Sequence, residues 1–251
     1  MAKKVGVRLK AAGTILTVSR YSEGLWIDYE NPKAGRKKGP SEGPRDNRQT
    51  RQTVLDLATT NFSAGDKFVT LTFNDNHCDV TNVDECNRLF NLFAKRLRRR
   101  WPDLKYLSVI EFQDSNGRGA VHYHMLCNAP YMPKEALEAL WGYGYIKVNR
   151  IRHVDNLGAY IVKYMVKDAG DSRLKGRNAY LCSQGLERPT ILYGDDAERI
   201  AKEYGLDTKV KAAYEGEYQR PEDAGGGLVI YKQYNLLRPQ GGVLQADKCA
   251  N

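Results

Sequence analysis

The sequence lacks the cysteine patterns that define disulfide frameworks and zinc sites. Its five cysteines are odd in number and widely spaced, and no two of them form a C-x-x-C pair. Neither a disulfide scaffold nor a structural zinc site is therefore expected. The pattern favours a reducing compartment, which we take to be the cytoplasm.

Three further absences narrow the class of protein. No run of about 18 apolar residues occurs, so we expect no transmembrane helix and no membrane partner. The basic start MAKKVGVRLK has no apolar segment of the kind that signal peptides carry. No G-x-x-x-x-G-K-[ST] loop occurs either, which argues against a built-in ATPase or helicase motor.

Charge is the first positive indication. Lys and Arg total 39 against 30 for Asp and Glu, a formal net charge of +9. Such an excess favours a polyanionic partner, with nucleic acid first and a membrane surface second, although a merely basic protein would show the same balance. Residues 31–52 are rich in Pro, Gly and cations, and they predict either a solvated linker or a DNA-contacting arm.

Hydrophobic periodicity predicts a central α+β core at residues 53–170. Strands are expected at 68–73, 106–113, 120–127 and 145–151, where β-branched and aromatic residues concentrate. Helices are expected from a Thr81 cap to Trp101, from Pro133 to Leu140, and from Asp155 or Asn156 to about Lys167. The first six elements have the order of a split βαβ unit, which predicts a ferredoxin-like antiparallel sheet with helices on one face.

Two extensions flank this core. Residues 1–52 predict strands at 13–21 and 25–29 followed by the basic loop. Residues 171–251 predict a helix at 195–204 and a strand at 228–234, and their pattern assigns them no task.

A histidine pair is the first candidate for chemistry. His122 and His124 lie two apart in a predicted strand, so both side chains project from one face of the sheet. Glu111 lies on the strand predicted to pair with it. Two imidazoles and one carboxylate form a three-ligand site with open positions, suited to Mg²⁺ or Mn²⁺ that holds a phosphate oxygen. The alternative is two half-buried strand histidines beside a surface carboxylate.

The second candidate is a helical stripe of tyrosines and lysines. At helical spacing Tyr160, Lys163, Tyr164 and Lys167 fall on one side of the predicted helix. An ordinary amphipathic helix with solvated lysines would look the same. A tyrosine nucleophile would require nearby cations or a metal ion to favour the phenolate, because an unperturbed phenol has a pKa of about 10.

The end of the helix before Pro102 is strongly basic. Arg96, Arg99 and Arg100 crowd its last turn, where cations complement the helix dipole. The same residues, together with Lys167, are candidates for binding DNA phosphates.

Three motifs then follow in order: Phe68-Val-Thr-Leu-Thr-Phe73, His122-Tyr-His124 and Tyr160-x-x-Lys163-Tyr164. In that order and spacing they resemble the motifs of rolling-circle replication initiators, the HUH endonucleases of small plasmids and single-stranded DNA phages. The double-tyrosine form is similar to the phage-type and related plasmid or integrated-element branch. The resemblance covers residues 53–170.

The resemblance implies an enzyme, a metal-dependent single-strand DNA nickase and strand transferase. It implies that Glu111, His122 and His124 hold Mg²⁺ or Mn²⁺, and that Tyr160 attacks the scissile phosphate of a single-stranded or hairpin origin. A 5′-phosphotyrosine and a free 3′-OH would result, and a second transfer, for which Tyr164 matches, would rejoin the strand. Host helicase and DNA polymerase would be partners in the cytoplasm of a bacterial host.

Two alternatives stay open. An HUH relaxase or transposase would use the same chemistry, although no third histidine follows His124 as in relaxases. A non-enzymatic, RRM-like module would stack bases on sheet aromatics, and it should carry aromatics where this chain carries His and Glu.

Overall fold

The structure is a computed structural model that describes residues 2–28, 47–114, 117–152, 156–165 and 171–238. Within these residues the strands are β1 (Ala2–Ala12), β2 (Ile15–Asp28), β3 (Lys67–Phe73), β4 (Tyr106–Gln113), β5 (Ala120–Cys127), β6 (Gly144–Arg150), β7 (Tyr180–Cys182), β8 (Thr190–Tyr193), β9 (Tyr214–Gln219) and β10 (Leu228–Asn235). The α-helices are α1 (Asn47–Asn61), α2 (Val83–Arg100), α3 (Lys134–Trp141), α4 (Leu157–Val162) and α5 (Gly194–Glu203).

The protein is an α+β chain with two antiparallel sheets, each in its own compact unit. The central unit lies within residues 40–188, and the terminal unit lies within residues 1–39 and 189–251. Strands from the N-terminal and C-terminal extensions, which the sequence analysis treats separately, therefore pair in one sheet. Among the described residues, every helix is too short or too polar to cross a lipid bilayer.

The terminal unit is a five-stranded sheet in the order β8-β1-β2-β10-β9. Helix α5 packs its alanines against one face of this sheet, which carries Leu9 and Val18. The predicted helix and strand of the C-terminal extension are confirmed as α5 and β10. The two strands predicted at 13–21 and 25–29 are instead the single strand β2, and the lysines and glycine of β1 conceal a strand that the sequence does not predict.

The central unit is built on a sheet in the order β6-β3-β5-β4-β7. Strand β5 lies in the middle, antiparallel to β3 on one side and to β4 on the other. The predicted succession β-α-β-β-α-β-α is confirmed from β3 to α4. Every residue of β5 is buried, which agrees with its apolar composition and its central place.

The two faces of this sheet belong to different hydrophobic cores. One face, with Leu71, Tyr123 and Met125, packs against α2 and α3. The other face, with Phe68 and Leu126, packs against α1 and α4. The prediction of helices on one face only is therefore wrong. Its cause is α1, which occupies residues 47–61, where a loop was expected as far as residue 52. The remainder of that predicted loop, residues 31–46, lies outside the described residues.

The cap of α2 also differs from the prediction. Asn82 caps the helix, because its side chain accepts hydrogen bonds from the backbone N–H groups of Asp84 and Glu85 at 3.1 and 3.2 Å. The Thr81 hydroxyl instead donates to the carboxylate of Asp79 at 2.6 Å. A charged acceptor binds a hydroxyl more strongly than a backbone group does, and asparagine is as good a cap as threonine.

Helix α4 is shorter than predicted. Its regular part ends at Val162, and the N–H of Tyr164 then bonds to the carbonyl of Ile161 at 3.1 Å. This tighter turn continues the helical direction, so Tyr160 and Tyr164 stay on one side. The predicted end at Lys167 lies outside the described residues. The predicted cap Asn156 is confirmed, since its side chain accepts from the N–H of Ala159 at 2.9 Å.

Helices α1 and α4 approach closely at one glycine. A Cβ atom on Gly158 would lie 2.5 Å from the carbonyl oxygen of Leu55 and 2.9 Å from its Cα. Real Cβ atoms do not come so close to backbone, so only glycine allows this crossing. The crossing holds α4 on the sheet and thereby fixes the two tyrosines.

We expect Gly158→Ala to destabilise the central unit, because the backbone of α1 must move to admit the methyl group. The loss should be about 1–3 kcal/mol, the usual range for overpacking. Urea unfolding followed by circular dichroism would measure it. Gly6→Ala is the matched control, because nothing lies within 4 Å of its Cβ position. Equal stability of the two variants would contradict the close packing.

Candidate active site

The face of the central sheet toward α1 and α4 gathers the predicted histidines. In the register of β5, His122 lies opposite Glu111 on β4 and opposite Thr72 on β3. His124 lies opposite Val109 and Thr70 on the same two strands. The two-residue period of a strand therefore places both histidines and Glu111 on one face, as the sequence predicts.

His124 is held through both ring nitrogens. Its Nε2 lies 2.6 Å from Oε2 of Glu111, and its Nδ1 lies 3.3 Å from the hydroxyl of Thr70. The residue is 5% exposed. Partners at both nitrogens fix the orientation of the imidazole, an arrangement that metal-ligating histidines share.

His122 is buried, and one of its nitrogens has no partner among the described residues. The residue is 7% exposed, and the nitrogen without a hydrogen bond is Nε2. Burial, the charge of His124 and that of Arg118 lower the pKa of His122 to about 4, against an opposing effect of Glu111. The ring is therefore neutral at pH 7. A buried polar nitrogen without a partner is uncommon and costly, and it points to a ligand.

Metal binding was tested against this geometry. Across the described ranges, no group of three or more His, Cys, Asp or Glu side chains is arranged to hold a metal ion. Glu111 bonds directly to His124 and so occupies the position that an ion would take between them. The donors nevertheless fit Mg²⁺ or Mn²⁺ in kind, and the lone Nε2 of His122 fits a ligand role. The side chain of Glu111 is 41% exposed, so it has room to turn outward.

The two tyrosines lie beside the histidines. The ring of Tyr164 stacks on His124, with centroids 4.0 Å apart and planes at 27°. The hydroxyls of Tyr160 and Tyr164 are 3.4 Å apart, and both rings contact Phe68 with centroids at 5.0 and 5.3 Å. The structure thus brings the tyrosine pair and the histidine pair into one cluster.

Lys163 supplies positive charge to both phenols. Its Nζ lies 4.1 Å from the ring centroid of Tyr160 and 5.0 Å from that of Tyr164. Burial and the neighbouring Tyr164 raise the pKa of Tyr160, whereas Lys163 and Lys147 lower it in part. The net direction is upward, so the isolated site keeps this phenol protonated. Attack by its oxygen requires further positive charge.

The predicted phosphate-binding arginines do not join this cluster. Helix α2 packs on the opposite face of the sheet, and Arg99 and Arg100 are exposed there. The guanidinium of Arg96 is engaged in structure: it donates to the carbonyl of Leu140 at 2.9 Å and to the hydroxyl of Tyr143 at 2.8 Å. Lys167 lies outside the described residues.

Three residues of the site were missed by the sequence analysis. Phe68 carries both tyrosine rings, Thr70 orients His124, and Lys147 on the edge strand β6 faces Tyr160. Alternation within the predicted strand 68–73 already places Phe68 and Thr70 on one face. The register of β6 against Thr70, which brings Lys147 to the site, follows only from the pairing of the strands.

Fold and site together define a class, an α+β protein with a histidine–carboxylate cluster next to a tyrosine pair. Residues 66–169 match a family of replication-associated proteins, the one described under the name ORF2, and this span includes β3 to β6 and both tyrosines. The match covers less than half of the chain and supports a replication-associated protein of the rolling-circle kind. Neither the curated proteins nor the solved structures contain a match to the chain.

The pKa of His122 predicts a loss of stability in mild acid. The unfolded histidine protonates near pH 6.5, whereas the folded one resists protonation down to about pH 4. Protons therefore favour the unfolded state as the pH falls through this window. At pH 5 the penalty should be on the order of 2 kcal/mol.

The comparison of His122→Gln with the wild type, by urea unfolding in EDTA at pH 7 and pH 5, would measure this effect. The wild type should lose more stability than the variant between the two values. Equal losses would show that the histidine is not held neutral by burial.

Proposed function

We propose that the protein is a rolling-circle replication initiator of the HUH endonuclease kind, which nicks and rejoins single-stranded origin DNA through a tyrosine. The observation that carries the proposal is the stacking of Tyr164 on His124 at 4.0 Å, with the Tyr160 hydroxyl 3.4 Å beyond. Nucleophile candidates and ligand candidates are thus in contact. The strand order β6-β3-β5-β4, that of a ferredoxin-like split βαβ sheet, and the family match support the same proposal.

Tyr160 is the proposed nucleophile for initiation. Its oxygen would form a bond to the scissile phosphorus while the bond from phosphorus to the 3′-oxygen breaks in line. The phenol would lose its proton, and the 3′-oxygen would gain one. The products are a 5′-phosphotyrosine on the protein and a free 3′-OH on the DNA. Because the phosphotyrosine is still an ester, a later 3′-OH can reverse the step without ATP.

Tyr164 and Lys163 would assist this step. The hydroxyl of Tyr164 is close enough to exchange a proton with that of Tyr160, and after the first transfer it offers a second nucleophile. Lys163 lies against both rings, where its charge favours a phenolate and an approaching phosphate. Lys147 adds a further positive charge near Tyr160.

Glu111, His122 and His124 would hold a divalent cation, Mg²⁺ or Mn²⁺, after the carboxylate turns away from His124. When bound, the cation would neutralise charge on the phosphate oxygens and favour the phenolate. Thr70 would keep His124 in the orientation that presents its Nε2. The neutral state of His122 fits this role, since a protonated imidazole has no lone pair to donate.

The partners follow from the chemistry. A basic chain suits an origin that is single-stranded or extruded as a hairpin. A free 3′-OH would serve a host DNA polymerase, and strand separation would fall to a host helicase, because the sequence has no ATP-binding loop. Both partners would be met in the cytoplasm of a bacterial host.

The assignment of the nucleophile predicts different behaviour for two conservative variants. Tyr160→Phe keeps the ring against Phe68 but lacks the attacking oxygen. It should lose the covalent DNA adduct by at least about a hundredfold. Tyr164→Phe should retain the adduct within about tenfold. Denaturing gels of reactions with single-stranded origin DNA and Mn²⁺ would measure both.

Each substitution removes one long hydroxyl contact, so thermal stability should change by less than about 1 kcal/mol. An adduct that survives in Tyr160→Phe and disappears in Tyr164→Phe would exchange the two roles.

The metal assignment predicts that cleavage stops in EDTA and returns with Mn²⁺. His122→Ala should lower the rate of cleavage by at least about a hundredfold at a fixed Mn²⁺ concentration. His77→Ala is the matched control, because this histidine is exposed in a loop outside the sheet face. Cleavage at the wild-type rate in EDTA would contradict the role of the cation.

A further inference from the structure

The terminal unit carries a row of three tyrosines on neighbouring strands. Tyr214 and Tyr218 lie on the edge strand β9 and are 55% and 50% exposed. Tyr231 on β10 lies between them, with ring centroids 5.8 Å from Tyr214 and 6.2 Å from Tyr218. We name this row the tyrosine face.

Gly216 makes the row possible. This glycine lies opposite Tyr231 in the register, and a Cβ atom on it would stand 2.8 Å from both Cζ and the hydroxyl of Tyr231. The central ring therefore lies across the β9 backbone, in space that any other residue would fill. Packing on glycine accounts for Tyr231, but it does not account for the two rings that stay half in water.

Positive charge accompanies the rings. Burial raises the pKa of Tyr218, whereas Arg8 and Arg220 lower it in part, so both cations lie near this phenol. The Nε of Arg8 is buried and has no hydrogen-bond partner among the described residues. An unpaired guanidinium donor beside exposed aromatic rings is suited to an anionic ligand.

The carboxylates of β9 point the other way. Glu215 alternates with the tyrosines and forms an ion pair with Lys232 at 3.3 Å. Helix α5 covers that opposite side, where Leu9 and Val18 form its core. Strand alternation thus separates an aromatic, cationic face from an acidic one.

We propose that the tyrosine face binds single-stranded DNA, with bases stacked on Tyr214 and Tyr218 and phosphates held by Arg8 and Arg220. Unpaired bases expose the flat surfaces that stack on aromatic rings, whereas a duplex hides them. The charge complements a phosphate backbone. The choice of DNA rests on the proposed function; the binding mode rests on the terminal unit itself.

The test uses the full chain with Tyr160→Phe, in EDTA, so that no covalent step occurs. Fluorescence anisotropy with labelled oligo(dT) would give the affinity at several salt concentrations. Tyr214→Ala together with Tyr218→Ala should weaken binding about tenfold or more, as expected for the loss of stacking. The corresponding Phe pair should bind within about twofold of the parent, since the rings remain.

Tyr204→Ala is the matched control, because this tyrosine is 47% exposed at the end of α5 and outside the tyrosine face. It should leave the affinity unchanged. Unchanged affinity in the alanine pair would overturn the proposal, and so would an equal loss in the phenylalanine pair or an equal loss for duplex DNA of the same length.

Adduct formation by the chain with Tyr160 intact separates this proposal from the proposed function. Adducts without any effect of the alanine pair on oligo(dT) affinity would leave the nickase standing alone. Tyrosine-dependent binding without adducts would leave the DNA-binding face standing alone.

Discussion

The two-residue alternation of β5 is the constraint on which the central unit depends. Val121, Tyr123 and Met125 fill the core under α2 and α3, while His122, His124 and Leu126 turn to the opposite face. A shift of one residue would bury the histidines under α2 and turn Tyr123 outward. The hydrophobic effect on one face therefore sets the position of the polar groups on the other, and the burial of Tyr123 and its neighbours is what holds His122 and His124 in place.

The polar face gains its chemical character from partial burial. His124 is satisfied at both nitrogens by Glu111 and Thr70, whereas His122 keeps a buried nitrogen that none of the described residues satisfies. Such a group lowers stability unless a ligand satisfies it, and sites of function often retain that cost. Helix α4 then seats Tyr164 on His124, and the close contact of Gly158 with Leu55 fixes the depth at which it does so. Packing of two helices is thus linked directly to the position of the tyrosine hydroxyls.

Much of this arrangement could be predicted from the sequence, because its periodicity is local. The strands around Thr70, Glu111 and His122 and the stripe of Tyr160 and Tyr164 follow from spacings of two and of three to four residues. The pairing of the terminal segments and the placement of α1 depend on contacts distant in sequence, and no local pattern reveals them. The same holds for Arg96: its basic neighbours indicate a phosphate site, but its hydrogen bonds to the end of α3 are tertiary. The hydrogen bond between Glu111 and His124 likewise required coordinates, since spacing alone does not show whether two ligands bind each other.

The central claim is that this face transfers a DNA phosphodiester to the protein rather than to water. The most direct measurement uses the unmodified chain and one single-stranded origin oligonucleotide, labelled in turn at each end, with Mn²⁺. The account predicts that the 3′ portion becomes covalently bound to the protein through its 5′-phosphate, while the 5′ portion is released with a 3′-OH that a polymerase extends. Release of both portions free of protein would contradict it, because that result is hydrolysis and leaves the tyrosines without a role.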